Sequence, residues 1–128
     1  MFKALIVVAI IIMAAIACLA LVPVTITDAD NAKTIDVLRF RTIKLSLDSN
    51  PTTGYRWQLV SPADRRVLRL YYSAYLPQPT KLMGVGGREE WKFRAIQPGT
   101  TTVKLIYIRV WEHSNPPARI FTLTVRVR

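Results

Sequence analysis

Residues 42–59 decide the fold, and they read TIKLSLDSNPTTGYRWQL. Their first part, Thr42–Leu47, alternates strictly between polar and apolar side chains, which predicts a β-strand with one buried face. Trp57 and Leu59 resume that alternation after a short segment of turn-forming residues, Asn50–Gly54. Asn, Pro and Gly are typical of tight connections between strands. The stretch therefore predicts two strands that a compact loop joins.

Short strand-like runs continue to the C-terminus. They are β-prone or alternate in polarity, and they lie at residues 69–72, 90–95, 103–108 and 121–127. The third run is the most continuously apolar, which predicts a central strand, and no long helical period follows residue 21. About seven short strands with turn signals between them predict an all-β chain folded as an immunoglobulin-like β-sandwich. The residues that we expect in its core are Trp57, Trp91, Phe93, Tyr107, Phe121 and Leu123.

Three short segments between these strands carry the functional signal: Asn50–Tyr55 (NPTTGY), Gly84–Gly87 (GVGG) and Arg109–Glu112 (RVWE). In the first, the asparagine side chain can close a turn, the proline fixes φ and the glycine permits a positive φ. This composition predicts a stiff tip that presents Thr52 and Thr53. A stiff wedge loses little entropy when it enters a cleft. Taken alone, however, the hexapeptide also suits an ordinary connection between strands.

The other two segments also suit a binding surface. Glycines remove side chains, so a partner's backbone could approach the second segment and exchange hydrogen bonds with it. A phosphate-binding glycine loop would need a following helix, whereas Gly87 leads into a strand pattern. Leu82, Met83 and Val85 could enter a specificity pocket or belong to an ordinary hairpin. Trp111 is either a lid on the core or an exposed anchor, and exposed anchors dominate interface energetics.

Together the three segments resemble the binding loops of the chagasin family, small proteins that inhibit papain-like cysteine peptidases. The family's loops read Asn-Pro-Thr-Thr-Gly-Tyr, Gly-x-Gly-Gly and Arg-Pro-Trp, so the first two match in full and Val110 replaces the proline of the third. The resemblance covers residues 24–128 and implies the same sandwich fold. The residues that it implies as peptidase-binding are Asn50, Pro51, Thr52, Thr53, Gly54, Tyr55, Gly84, Val85, Gly86, Gly87, Arg109, Val110 and Trp111.

The resemblance implies a tight, reversible inhibitor that occludes the active-site cleft without being cut. The loop Asn50–Tyr55 would sit over the catalytic cysteine of the peptidase, with the other two loops on either side. We expect Trp111 to act as an anchor, Arg109 to add hydrogen bonds, and Val110 to leave the third loop less preorganised. The alternatives are a cell-surface immunoglobulin-like binding or adhesion module without inhibitory activity, or an accessory domain that binds another protein through the same loops. An inhibitor requires all three segments at one end of the molecule, which separates it from a generic module.

The N-terminal segment has a different composition. No charged residue occurs from Ala4 to Val24, and a lysine precedes this run, which predicts an export signal or a membrane helix. In the family, the segment that corresponds to Thr25–Val37 opens the folded domain, so the apolar run shortens to about 18 residues, near the lower limit for crossing a bilayer. Ala15-Ile16-Ala17 supplies the small residues that a signal peptidase reads. We therefore favour a signal peptide over a membrane anchor for residues 1–21, with residues 22–128 as the inhibitor domain.

Cys18 is the only cysteine, so the mature domain is predicted to hold no disulfide and no cysteine metal site. It directly follows the Ala-x-Ala, which makes it a candidate for lipid modification of a cleaved N-terminus. Ala15 and the apolar Leu19–Leu21 depart from the usual lipoprotein pattern, so a small buried residue of the segment stays an equal alternative. We expect an extracytoplasmic protein, either secreted, periplasmic or surface-anchored, with membrane attachment through the N-terminal segment as one outcome.

The chain is strongly basic, with 18 Lys and Arg against 8 Asp and Glu and a formal net charge of +10. Such a surface favours anionic membranes, cell-wall polymers or acidic proteins. The basic residues are spread along alternating strands without a dense tract, and export would separate the protein from nucleic acid, so we expect no nucleic-acid partner. We interpret most of the charge as solvated outer strand faces.

Catalysis has little support in the sequence. The chain has one histidine, His113, and no nucleophile-elbow motif marks a serine to pair with it. Clustered ligands for a metal are lacking as well. We therefore expect no enzyme activity, no metal and no cofactor, and a monomer whose partner is a papain-like cysteine peptidase.

Overall fold

Eight strands follow one N-terminal helix in the computed structural model, which describes residues 2–61, 64–79, 84–112 and 115–128. The helix α1 runs over Phe2–Leu21. The strands are β1 Val24–Ile26, β2 Lys33–Val37, β3 Thr42–Ser49, β4 Tyr55–Ser61, β5 Leu68–Pro77, β6 Gly87–Ala95, β7 Gly99–Arg109 and β8 Arg119–Val127. Two short 3-10 turns, Asp28–Asp30 and Pro51–Thr53, lie between β1 and β2 and between β3 and β4.

The strands form two four-stranded sheets, in the orders β1-β3-β6-β5 and β2-β8-β7-β4. β1 pairs with β3 and β2 with β8 in parallel, and the remaining pairs are antiparallel. The predicted all-β sandwich is confirmed. The described residues hold eight strands rather than about seven, because the segment after Pro23 supplies a short edge strand to each sheet. β7 is central in its sheet, as its apolar run predicted.

The core lies between the inward faces of the two sheets. In β8 the side chains from Phe121 to Val127 alternate between buried and more exposed, because successive residues of a strand point to opposite faces. All six residues predicted for the core are buried. The indole N–H of one of them, Trp57, donates to the Asp48 carbonyl at 2.8 Å. Every described core residue lies between Ile26 and Val127, so the domain of residues 22–128 contains the described packing.

The sandwich has two ends. The connections β3–β4, β5–β6 and β7–β8 meet at the loop end, where Ser49 lies opposite Gly87 in one sheet and Tyr55 opposite Arg109 in the other. The connections β2–β3, β4–β5 and β6–β7 meet at the opposite end. We call this the base end. Its described residues are 36–43, 60–61, 64–69, 94–100 and 126–128, which are the three connections, the two strand residues on each side of them, and the C-terminal end of β8 with Arg128.

α1 contains the apolar N-terminal segment. Its side chains are described for residues 3–13, and all of these are exposed. Over the described residues, no helix combines the length and apolar character that a membrane crossing requires. The assignment of residues 1–21 as a signal peptide stays a prediction. The same holds for lipidation of Cys18, whose side chain lies outside the described set.

Candidate functional site

The three segments singled out from the sequence lie side by side at the loop end. They are loop 1 (Asn50–Tyr55), loop 2 (Gly84–Gly87) and loop 3 (Arg109–Glu112). One side-chain hydrogen bond joins loop 1 to loop 2, another joins loop 3 to loop 1, and the indole ring of loop 3 packs on loop 1. Segments that are far apart along the chain therefore form one continuous surface.

Loop 1 is held by hydrogen bonds of its own. The Asn50 side-chain oxygen accepts from the Thr52 N–H at 3.3 Å, and the Thr53 hydroxyl donates to the Asn50 carbonyl at 2.7 Å. The Gly54 N–H closes the 3-10 turn on the Pro51 carbonyl at 2.9 Å. Gly54 has a φ of 84°, a conformation that L side chains rarely adopt. The predicted turn is confirmed, and both threonines are exposed at its tip.

Loop 1 is also fixed to the core through Tyr107. The Asn50 N–H donates to the Tyr107 hydroxyl at 2.9 Å. The buried Tyr107 ring stacks on Tyr55, with centroids 5.2 Å apart, and lies 5.0 Å from the Trp57 ring. A buried tyrosine needs a hydrogen-bond partner for its hydroxyl, and the start of loop 1 supplies it. Sequence periodicity predicted Tyr107 as a core residue but not this second role.

Loop 2 is positioned by loop 1 and by the neighbouring strands. The Asn50 side-chain amide donates to the Gly84 carbonyl at 3.0 Å. A Cβ added at Gly86 would lie 2.8 Å from the carbonyl oxygen of the last β3 residue, and one added at Gly87 would overlap a carbonyl oxygen of β5. Gly87 is buried as the first residue of β6 rather than part of an open loop. These two glycines therefore permit close packing inside the domain, while Gly84 and Val85 are exposed.

Arg109 connects loop 3 to loop 1. Its Nε donates to the Thr53 carbonyl at 3.0 Å, its guanidinium lies 4.5 Å from the Tyr55 ring centroid, and its Nη1 is 3.2 Å from Glu112. The side-chain hydrogen bond from Asn115, together with that from Arg109, lowers the pKa of Glu112. Arg109 thus forms hydrogen bonds within the protein itself, which connect the two loops, and the hydrogen bonds that we expect it to add to a peptidase stay a prediction.

Trp111 is exposed and rests on loop 1. Its exposed fraction is 66%, so it does not cover the core, and the interpretation as a lid is excluded. A Cβ added at Gly54 would overlap its indole ring, which shows how closely the ring approaches the loop 1 backbone. Val110, at the position where the family has proline, is 62% exposed. Trp111 is therefore available to a partner on one side and supported by the protein on the other.

Beneath loop 1, an ionic cluster centres on Asp28. Its carboxylate accepts from the Asp48 N–H and from the guanidinium groups of Arg88 and Arg119, each at 3.1 Å. Partial burial raises the pKa of Asp28, but the hydrogen bonds from Asp48 and Arg88 outweigh it and leave the pKa below its ordinary value. Sequence reasoning missed this cluster, because residues 60 and 91 positions apart carry no local pattern that connects them.

The described surface presents groups that can contact a partner. Leu82, Met83 and His113, which the sequence also singled out, lie outside the described residues. In the described part of the chain, no group of three or more His, Cys, Asp or Glu side chains is placed to hold a metal. The surface offers two exposed threonines, accessible backbone in loop 2 and an exposed indole.

Known proteins resemble this chain in both sequence and structure. The family described as chagasin family peptidase inhibitor I42 matches residues 37–125, which include all three loops. Amoebiasin-2 of Entamoeba histolytica is 32% identical over 103 residues, 80% of this chain and 84% of that protein. Chagasin of Trypanosoma cruzi is 29% identical over 104 residues, 79% of this chain and 94% of that protein. The crystal structure of the cysteine protease inhibitor EhICP2 from Entamoeba histolytica has a TM-score of 0.72 and 27% identity, over 83% of this chain and 95% of that one.

Proposed function

Because the chain belongs to the chagasin family of peptidase inhibitors, we propose that it inhibits papain-like cysteine peptidases reversibly, by covering the active-site cleft with its three loops. It is an inhibitor and not an enzyme. Loop 1 lies over the catalytic cysteine of the peptidase in this proposal, and loops 2 and 3 contact the cleft on either side. The similar EhICP2 structure is described as a cysteine protease inhibitor, which supports this class of target.

The observation that carries the proposal is the physical connection of the three loops at one end. Asn50 donates to the Gly84 carbonyl and Arg109 to the Thr53 carbonyl, each at 3.0 Å. Ordered loops lose less conformational entropy on binding than mobile ones, so more of the contact energy remains as affinity. Clustering also favours the inhibitor over the generic adhesion module, in which these segments need not form one surface.

Each loop contributes a different kind of contact. Loop 1 presents Thr52 and Thr53, two compact side chains on a turn whose backbone is already hydrogen-bonded. Gly84 and Val85 leave the loop 2 backbone accessible to the main chain of a peptidase. Trp111 supplies exposed apolar area of the kind that dominates interface energies. The arrangement suits a stiff wedge with a contact on each flank.

The folded form of loop 1 also explains why we expect the inhibitor to stay intact. Pro51–Thr53 is a 3-10 turn, closed by hydrogen bonds to Asn50 and Pro51 carbonyls. A peptidase that cleaves extended chains would have to break this turn before a peptide bond could enter substrate register. The proposal is therefore occlusion without cleavage.

Titration of papain with the recombinant domain of residues 22–128 tests the function. All described core residues lie within that domain, which supports its use as the folded unit in the test. We expect activity to fall at near-stoichiometric inhibitor, to return on dilution, and the inhibitor mass to stay unchanged by mass spectrometry. Absence of inhibition at micromolar concentration, with the domain folded, would contradict the proposed function and leave the adhesion module as the better hypothesis.

We further propose that the protein acts outside the cytoplasm. The support is the uncharged run from Ala4 to Val24 after Lys3, and the Ala15-Ile16-Ala17 segment near its end. Mass spectrometry of the native N-terminus distinguishes a free Cys18 start, a lipid-modified Cys18 and an intact Met1. An intact start would make the segment an anchor and contradict the preference for cleavage.

A further inference from the structure

The positive charge of the domain is concentrated at the base end. Two acidic residues lie there, Asp36 and Asp64. The eight arginines at the same end are Arg39, Arg41, Arg65, Arg66, Arg69, Arg94, Arg126 and Arg128. At the loop end, by contrast, Arg88, Arg109 and Arg119 form ion pairs, and Arg56 is the one described arginine there without an acidic partner. Exposed strand residues such as Arg69, Arg94 and Arg126 contribute to this charge, as the sequence suggested, and the structure adds that they collect at one end.

Five of the base-end arginines have no acidic partner in the described part of the chain, which contains every Asp and Glu. They are Arg39, Arg41, Arg65, Arg69 and Arg94. Arg69 and Arg94 lie directly opposite each other on β5 and β6, an arrangement in which like charges repel. Together with Tyr71 and Ile96 they line a surface depression of about 260 Å³. Unneutralised guanidinium groups around a shallow depression favour an anionic ligand.

An apolar tip projects from the same end. In the turn Leu38-Arg39-Phe40-Arg41, Leu38 and Phe40 are each 64% exposed. Phe40 has a φ of 72°, a left-handed conformation that is strained for an aromatic residue. The Arg39 guanidinium lies 4.6 Å from the Phe40 ring centroid. Exposed apolar side chains between arginines are the composition of segments that enter a membrane interface.

The chain also enters the sandwich at this end. β1 is parallel to β3, and Val24 pairs with Ile43, so β1 starts near the base end. The Arg41 guanidinium donates to the Val22 carbonyl at 2.9 Å, which ties the start of the domain to the basic turn. The residues that follow the apolar N-terminal segment therefore join the sandwich beside the basic surface, at the end opposite the three loops.

We propose that the base end binds the surface of an anionic phospholipid bilayer. Guanidinium groups match lipid phosphates with paired hydrogen bonds, and Phe40 with Leu38 enters the headgroup boundary. The loop end then faces away from the membrane, where a soluble peptidase can reach it. This surface belongs to the folded domain, and its binding does not depend on whether residues 1–21 are retained or on the inhibitory function.

Co-sedimentation of the 22–128 domain with phosphatidylserine-containing vesicles, compared with pure phosphatidylcholine vesicles, tests the charge. We expect binding to the anionic vesicles only. The combined change Arg65→Gln, Arg69→Gln and Arg94→Gln should weaken it by about 100-fold, since each cation near the surface contributes about fivefold. The matched control Arg56→Gln, Lys92→Gln and Lys104→Gln removes the same charge elsewhere and should leave most of the binding. Equal losses in the two variants would overturn the proposal.

Phe40→Asn tests the apolar tip, because asparagine tolerates a positive φ and the side chain is exposed. Vesicle binding should fall by about tenfold while the melting temperature is kept. Ile120→Asn, at an exposed position of the loop end, should not change vesicle binding. If Phe40→Asn has no effect and soluble polyphosphate binds as tightly as vesicles, the surface recognises an anionic polymer and the membrane proposal is wrong. Papain inhibition by the base-end variants should match the parent, which keeps this test separate from the inhibitory function.

Discussion

Loop 1 and loop 3 lie on the same surface, but different contacts hold them in place. Loop 1 is ordered from within, by the Asn50 side chain, the Thr53 hydroxyl and a closed 3-10 turn, and its first N–H is fixed to Tyr107. Loop 3 takes much of its order from loop 1, because Arg109 donates to the Thr53 carbonyl and Trp111 rests on Gly54. Its second residue, Val110, stands where the family has a proline.

This difference assigns the two loops unequal roles. A change in loop 1 should disturb loop 3, since loop 3 uses the loop 1 backbone as its support. A change in loop 3 should leave loop 1 in place, because the internal hydrogen bonds of loop 1 do not involve it. The effects below are expected to decrease in the order given.

Thr53→Arg should cause the largest loss of inhibition, at least about 1000-fold in the inhibition constant. The substitution pushes a long charged side chain into the space that we assign to the catalytic cysteine. Thr53 is exposed, so the circular dichroism spectrum and melting temperature should stay close to those of the parent. Thr53→Ser keeps the hydroxyl that donates to Asn50 and is the matched control. Papain inhibition equal to the parent would mean that loop 1 does not enter the cleft.

Trp111→Ala should weaken inhibition by about 30- to 1000-fold, because truncating an interface tryptophan costs about 2–4 kcal/mol. The domain should stay folded, since the side chain is 66% exposed. Tyr71→Ala removes another exposed aromatic ring, from β5, and should leave inhibition unchanged. If Trp111→Ala inhibits as well as the parent, the valine at position 110 has already abolished the binding contribution of loop 3, and only the first two loops bind the peptidase.

Gly54→Ala should cost about 30-fold in inhibition, and Gly84→Ala only a few-fold. Both positions have a positive φ, so both substitutions introduce backbone strain of about 1–2 kcal/mol. Only at Gly54 would the new Cβ also overlap the Trp111 ring, whereas nothing lies within 4 Å of a Cβ at Gly84. The part of the Gly54→Ala loss that comes from overlap with the ring should therefore disappear when Gly54→Ala is introduced into the Trp111→Ala variant. Fully additive losses would show that loop 3 does not depend on loop 1 in this way.

Asp28→Asn should lower stability by about 1–2 kcal/mol near neutral pH, with a smaller effect on inhibition, because loop 1 keeps its own hydrogen bonds. The pKa of Asp28 is lowered in the folded state. The contribution of this carboxylate to the free energy of unfolding is therefore complete above about pH 4 and is lost as the pH falls through the folded-state pKa. Urea unfolding of parent and variant from neutral to acidic pH measures this. The difference between them should shrink below about pH 4, and a constant difference would contradict the role of the charge.

Val110→Pro should have the smallest effect and the opposite sign. Proline at a compatible position restricts the unfolded chain and contributes about 0.4–1 kcal/mol, which corresponds to roughly a two- to fivefold gain if it orders the bound form of loop 3. Val110 is exposed and is not among the described residues with a positive φ. Val110→Pro should tighten papain inhibition and leave the losses caused by the loop 1 substitutions unchanged. This result would support the view that loop 1 is ordered independently of loop 3. Weaker inhibition would mean that the loop 3 backbone does not fit proline.

Sequence reasoning predicted those parts of the fold that depend on near neighbours. Alternation along β3, β6 and β8 is a local pattern, so it identified the buried faces of these strands and the core residues on β6 and β8 correctly. It grouped Gly87 with the open loop, although the residue is buried in β6 against β5. That close approach comes from a strand far away in sequence, which no local pattern reports.

The sequence by itself determined the strand faces, the turn of loop 1 and the three segments that mark the family, because each depends on residue types at short spacing. Only the tertiary structure decided that Trp111 is supported by Gly54, that Asp28 gathers Arg88 and Arg119 beneath loop 1, and that unpaired arginines collect at the base end. The physical reason is common to all three. A contact between distant segments depends on strand pairing and on the packing of one sheet against the other, and those are properties of the folded chain as a whole.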